Sequence, residues 1–179
     1  MAPILRVKVN YRPVNFYLMA LLAELPEPLW YKRLAIEYKL MHEHEPLFDI
    51  VEGDLTHYEG VLIGSGLYEG GYFRVEIILS RSFPFVPPKV IWWTRIWHPN
   101  FTDEVPARIC ESIFKDDWKP PLHLITVIGA LRNLLNNPNP DDPLNTIAAM
   151  EMKFRPDVFK ARVRQYIELY ARPEKSLIK

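Results

Sequence analysis

The chain has 179 residues, 49% hydrophobic, 13% aromatic and 25% charged, with 22 basic residues set against 22 acidic ones. That profile suits a domain with a sizeable core and excludes a low-complexity chain, while the even charge offers no basic stripe for nucleic acid. A single cysteine, Cys110, excludes an internal disulfide and a cysteine-rich zinc site, and favours a reducing, cytoplasmic setting.

Residues 1–28 read as an N-terminal extension. A β-compatible start (ILRVKVNY) leads to a short helix from about Pro13, which Pro26 and Pro28 end. The apolar stretch 14–25 follows Arg6, Lys8 and Arg12 in the layout of a signal peptide. Glu24 interrupts it and no A-x-A cleavage pattern follows, so secretion is not expected. No apolar run approaches the roughly 20 residues that span a bilayer, so no membrane association is expected. Leu29–Met41 has helical spacing, with Trp30, Leu34, Tyr38 and Met41 on one face and Lys32, Arg33 and Lys39 expected in solvent. Four strands follow: Leu47–Glu52, Tyr58–Ile63, Tyr72–Leu79 and Lys89–Thr94, joined by turn-length links as in an antiparallel meander. After a long irregular stretch, Leu122–Leu135, Asn145–Phe154 and Asp157–Ala171 read as helices. Helices and strands segregated in this order predict an α+β fold in which helices cover one face or the ends of the sheet. The expected domain is therefore 29–171, with a tail at 172–179.

Ten of the 17 prolines fall between residues 84 and 143, so the segment around Cys110 is stiff and non-repetitive. His98, Asn100 and Cys110 lie within it. A sole thiol is often a small buried hydrophobe, and a Cys–His–Asn set is also compatible with a papain-like hydrolase. His42 and His44 have no defined third ligand, so they read as surface residues and no metal site is expected.

Several runs together resemble one family. They are Tyr68-Glu69-Gly70-Gly71-Tyr72-Phe73, then Phe83-Pro84-Phe85-Val86-Pro87-Pro88-Lys89-Val90, then Thr94-Arg95-Ile96-Trp97-His98-Pro99-Asn100. Ile109-Cys110, Asp117-Trp118-Lys119-Pro120 and Pro138-Asn139-Pro140-Asp141-Asp142-Pro143-Leu144 follow in order. The chain is similar, over about residues 29–171, to ubiquitin-conjugating enzymes. The resemblance implies that family's fold: an N-terminal helix, a four-stranded antiparallel meander, a long active-site loop and C-terminal helices. It also implies a transferase in which Cys110 takes ubiquitin or a ubiquitin-like modifier from an activating enzyme as a thioester and passes it to a substrate lysine, usually with a ligase. No cofactor is implied, because the activating enzyme uses the ATP. Asn100 matches the His-Pro-Asn asparagine, whose amide donates to the developing oxyanion or holds the loop. Asp142 matches the carboxylate that orients the incoming lysine and assists its deprotonation. Lys32 and Arg33 match positions that help dock the activating enzyme, and Phe85 and Pro121 lie in the two loops that ligases grip. His98 is assigned to loop structure, and Trp118 to packing under the loop after the cysteine.

Some positions depart from the family pattern. Nine residues (FTDEVPARI) separate Asn100 from Cys110 where seven are usual, with no glycine among them, and Glu111 replaces a leucine. These departures put the distance from Asn100 to the sulfur in question. They also keep open an alternative reading, a catalytically inactive variant serving as a ubiquitin-binding or scaffold module.

Overall fold

A computed structural model describes residues 24–109 and 118–173. Helix α1 spans Glu27–His44, with Pro28 in its first turn, where a missing N–H costs nothing and a fixed φ suits the helix. Pro26 and Pro28 thus open α1, two residues before the expected start. The expected strand and helix within residues 1–23 lie outside the described residues.

Strand β1 (Phe48–Val51) turns directly into β2 (Asp54–Ile63) through Glu52 and Gly53, both at positive φ, +52° and +79°. Two left-handed residues in succession make the tight hairpin turn whose twist matches paired strands. The sequence reading therefore started β2 four residues too late. Strand β3 (Tyr72–Ile78) and the short β4 (Lys89–Trp92) complete a sheet ordered β1-β2-β3-β4, antiparallel throughout, as the meander requires. Beyond β4 the chain stays beside β3, with the Trp93 N–H donating to the Arg74 carbonyl at 2.9 Å and the Arg74 N–H to Thr94 Oγ1 at 2.8 Å.

Alternation along the strands separates the two faces. Tyr58 and Leu62 of β2, Phe73, Val75 and Ile77 of β3, and Trp92 of β4 point inward and are buried. Gly60 shares that face for a reason of space. A Cβ there would stand 2.3 Å from the Phe48 ring, which folds across the strand. Helix α2 (Leu124–Asn136) brings Leu124, Val127, Ile128, Leu131 and Leu135 to the core. Helix α3 (Thr146–Phe154) is capped by Asn145, whose Oδ1 accepts the Ala148 N–H at 3.0 Å. Helix α4 (Pro156–Tyr170) begins on a proline and buries Phe159, Val163 and Ile167 at helical spacing. Each large side chain removed from water contributes about 1.5–3 kcal/mol, so the core fixes where the intervening loops begin and end. The outer face of the sheet carries no helix among the described elements.

Candidate active site around the His-Pro-Asn turn

The turn 98–100 is held from three directions. His98 is fully buried, and its two ring nitrogens are both engaged. Nδ1 accepts the Asn100 N–H at 2.9 Å, and Nε2 donates to the Leu134 carbonyl at 3.1 Å. Burial disfavours the imidazolium and pushes the His98 pKa down to about 3. A neutral ring with no free nitrogen serves as structure, in line with the assignment made from sequence. It is not available as the base of a Cys–His–Asn hydrolase. Tyr68 supports the same turn, its hydroxyl donating to the Trp97 carbonyl at 2.9 Å and its ring 5.2 Å from the imidazole.

Asn100 is buried and its side-chain amide is fully used. Nδ2 donates to the carbonyls of Asn139 (2.8 Å) and Asp142 (3.0 Å), and Oδ1 accepts the Asn139 N–H at 2.8 Å. The backbone repeats the link: the Pro99 carbonyl accepts the N–H groups of both Leu144 and Asn145 at 2.8 Å. The turn and the segment Asn139–Asn145 form one hydrogen-bonded unit.

Asp141 and Asp142 are both exposed. Lys153 holds the Asp141 carboxylate at 2.6 Å, whereas the only bond found for Asp142 among the described residues is through its backbone carbonyl.

The residues between Asn100 and Ile109 fold back on themselves. Phe101 and Ile109 face each other in an antiparallel bridge, and Ala107 bridges to Trp92. The intervening residues close as a small hairpin, with the Thr102 N–H donating to the Arg108 carbonyl (3.1 Å) and the Arg108 N–H to Thr102 Oγ1 (2.8 Å). Arg95 grips Asp103 through Nε (2.7 Å) and a second nitrogen (3.3 Å), and the Tyr166 hydroxyl of α4 donates to Asp103 at 2.9 Å. Ile109, the residue before the cysteine, is thus returned to a position opposite the residue after Asn100. Cys110, Glu111 and Asp117 lie outside the described residues.

A second cluster lies between α1 and the start of α2. Arg33 is not solvated: its side chain is only 13% exposed. Its Nε donates to Glu37 (2.6 Å), its terminal nitrogens donate to the carbonyls of Pro120 (2.6 Å) and Leu122, and its guanidinium lies 5.0 Å from the Phe83 ring centroid. This corrects the expectation that Arg33 lies in solvent; of that pair, Lys32 is the exposed one. Sequence reasoning passed over Glu37, which is wholly buried and also binds His123 Nδ1 and the Leu124 N–H, both at 2.8 Å. Its position was the available signal, three residues after Leu34 and four before Met41 on the buried stripe. The loops carrying Phe85 and Pro121 come together here. Trp118 Nε1 donates to the Pro84 carbonyl at 2.8 Å and its ring lies 5.8 Å from Phe83, while Phe85 is half-buried and Pro121 exposed.

Residues 33–167 match the family model described as ubiquitin-conjugating enzyme. The chain belongs to the ubiquitin-conjugating enzyme family. It is 38% identical over 125 residues to the Homo sapiens ubiquitin-conjugating enzyme E2 K, covering 69% of this chain and 62% of that protein. It is 36% identical over 150 residues to the Xenopus laevis ubiquitin-conjugating enzyme E2 T, covering 79% and 77% respectively. The chain therefore spans less than two thirds of the first of these relatives. Among solved structures, a Toxoplasma gondii ubiquitin-conjugating enzyme domain superposes with a TM-score of 0.71 at 29% identity, over 79% of this chain and 99% of that one. A ubiquitin-conjugating enzyme structure from Plasmodium yoelii gives a TM-score of 0.74 at 28% identity, covering 80% and 96%. The fold inferred from the order of helices and strands is thus the family fold.

Nearest to a metal set among the described residues are His57, Glu59 and Glu76 on the outer sheet face. Arg74 already bonds Glu59 at 3.0 Å, and Trp93 Nε1 and His57 lie 2.7 and 2.8 Å from Glu76 carboxylate oxygens. These contacts offset the repulsion of two glutamates placed directly across the strands. No helix among the described residues is long and apolar enough to cross a membrane.

Proposed function

We propose that the chain carries ubiquitin or a ubiquitin-like modifier as a thioester on Cys110 and transfers it to lysine amines of protein substrates. The observation that supports this best is the convergence of three segments: the His-Pro-Asn turn, Ile109 immediately before the sole cysteine, and the Asn139–Asn145 segment that carries Asp142. In the first step the Cys110 sulfur attacks the carbonyl of the thioester on an activating enzyme, whose thiol leaves. One thioester replaces another, so the exchange is nearly isoenergetic and asks for access and alignment more than for a strong base. In the second step a neutral lysine amine attacks that carbonyl, the Cys110 thiolate leaves and the amine nitrogen gives up a proton. Asp142, with its carboxylate exposed, orients the amine and accepts the proton. Asp141 is less suited, because Lys153 already holds it.

Asn100 acts chiefly by locking the turn to the Asp142 segment. Donation to an oxyanion requires one of its two N–H bonds to be released first. Lys32 remains the candidate contact for the activating enzyme, and the joined loops bearing Phe85 and Pro121 form the ligase-facing edge. A reducing, cytoplasmic compartment suits a working free thiol. No cofactor of its own is required, since the activating enzyme spends the ATP.

Charging with a modifier, its activating enzyme and ATP tests this reading. The native chain forms an adduct that thiol reductant removes, Cys110→Ser forms a reductant-resistant ester, and Cys110→Ala forms none. Absence of any adduct on the native chain, across the modifiers tried, would instead favour an inactive family member acting as a binding module.

A further inference from the structure

Helix α3 carries an apolar stripe on its outward side. Three of the four most exposed large apolar side chains among the described residues stand on it: Ile147 (59%), Met150 (62%) and Phe154 (74%). Single exposed apolar residues are ordinary on a protein surface. These three are spaced i, i+3 and i+7, so each neighbours the next along one continuous stripe. The other side of the helix buries Ala148, Ala149 and Glu151, and Glu151 reaches Arg162 of α4 at 3.0 Å. None of the three exposed residues belongs to the core cluster or packs against it. The helix is also fixed to the candidate site. The Pro99 carbonyl accepts the N–H groups of Leu144 and Asn145, and Asn145 caps α3. Lys153, beside Phe154 and three positions after Met150, holds Asp141 at 2.6 Å. The stripe therefore adjoins the segment that carries Asp142.

We propose that the α3 stripe docks the acceptor segment of the protein substrate, an amphipathic helix whose lysine shares a face with apolar side chains one to two turns away. This rests on the thioester reading, in which Asp142 orients the incoming amine. Continuity selects the occupant: α3 is anchored to the His-Pro-Asn turn at its start and to Asp141 near its end, so a substrate lysine that reaches Asp142 brings its flanking residues against the stripe. Shape selects a helix. The stripe is a convex ridge that another helix can meet by interdigitation of side chains, whereas the backbone groups of α3 are used within the helix and offer no edge to an extended strand. Ile147 to Phe154 covers about 10 Å along the axis, two turns, which matches two turns of a partner helix. Asp141 is held by Lys153, which leaves Asp142 to meet the lysine.

Single-turnover discharge from the charged full chain to two acceptor peptides tests this. Each is a helix-forming peptide of about twenty alanines and glutamines with one central lysine; one carries leucines at i±4 and i±7 from the lysine, the other serines there. The leucine peptide is expected to accept the modifier about fivefold or more faster at subsaturating concentration, through a lower KM. Ile147→Ser combined with Phe154→Ser, both at exposed positions, should abolish that preference and leave discharge to free lysine unchanged. Equal rates for the two peptides, or a preference that survives the double variant, overturns the proposal. A dimer of the native chain in sedimentation velocity that the double variant dissociates overturns it in favour of a second copy covering α3. If no modifier charges the chain, the thioester reading fails on its own, and anisotropy of the labelled leucine peptide with the uncharged chain still decides the surface. Saturable binding weakened by the double variant supports docking on α3, and no such binding overturns it.

Discussion

His98 uses both ring nitrogens to hold the turn, and so acts as structure. It stays neutral because burial holds its pKa down to about 3, while an unfolded chain returns it to about 6.5. Between those values the unfolded state binds the extra proton, so the His98 contribution to stability is fully present above about pH 6.5 and is lost as pH falls towards 3. Urea titrations of the native chain should show stability falling by about 1.4 kcal/mol per pH unit from this residue below about pH 6. His98→Gln keeps a donor for the Leu134 carbonyl and should flatten that slope, even though the variant is less stable overall. An unchanged slope would assign the acid sensitivity to other groups. Asp142 is the residue proposed for the chemistry instead. Asp142→Ala should leave charging of Cys110 intact and slow discharge to free lysine by roughly tenfold or more, with part of the loss recovered at higher pH as more lysine is neutral. Equal single-turnover discharge rates at neutral pH would end its assignment. The roles of His98 and Asp142 could be framed from sequence because each sits in a short motif. The two options left open for Asn100 could not be weighed there, since its partners are Asn139 and Asp142, about forty positions away.

Among the elements, α1 departed most from its reading. Periodicity identified the helix and its apolar stripe, yet it assigned Arg33 to solvent and did not single out Glu37. Spacing places a residue on a face, but cannot say that the backbone carbonyls of Pro120 and Leu122 will arrive to receive a guanidinium. The pair now has a clear function: it ties α1 to the loop that follows the cysteine segment and supplies the acceptor for the first N–H of α2. Glu37→Ala should destabilise the chain by about 3–5 kcal/mol, because it leaves a largely buried guanidinium without its carboxylate. Arg33→Met combined with Glu37→Leu should recover much of that loss, and chemical denaturation of the single and double variants measures the coupling. Strictly additive losses would contradict the clamp. The inserted hairpin was legible only as an anomaly in length. Its closure depends on Thr102 pairing with Arg108 and on Asp103 meeting Arg95 and Tyr166, contacts that no local pattern announces. The start of β2 was placed late for a smaller reason: Glu52 takes a left-handed backbone, which a non-glycine residue seldom does, so the turn is complete by Gly53 and pairing resumes at Asp54.

For the whole molecule, the α+β order was readable because helices and strands are segregated along the chain and each keeps its own hydrophobic period. What could not be read was convergence. His98 to Leu134, Asn100 to Asn139 and Glu37 to His123 span 36, 39 and 86 positions, and these contacts tie distant segments into one frame. The ten prolines between residues 84 and 143 now have a spatial meaning. Those at 84, 99 and 120 present carbonyls to Trp118, to Leu144 and Asn145, and to Arg33, so part of the stiff backbone is also the acceptor set that holds the frame. The most direct test of the frame's purpose is mass spectrometry of the chain after charging, followed by proteolytic mapping of the adduct. One modifier, less one water, should be found on Cys110 and should be released by thiol reductant at neutral pH. An adduct mapped to a lysine while Cys110 remains freely alkylatable would contradict the thioester mechanism.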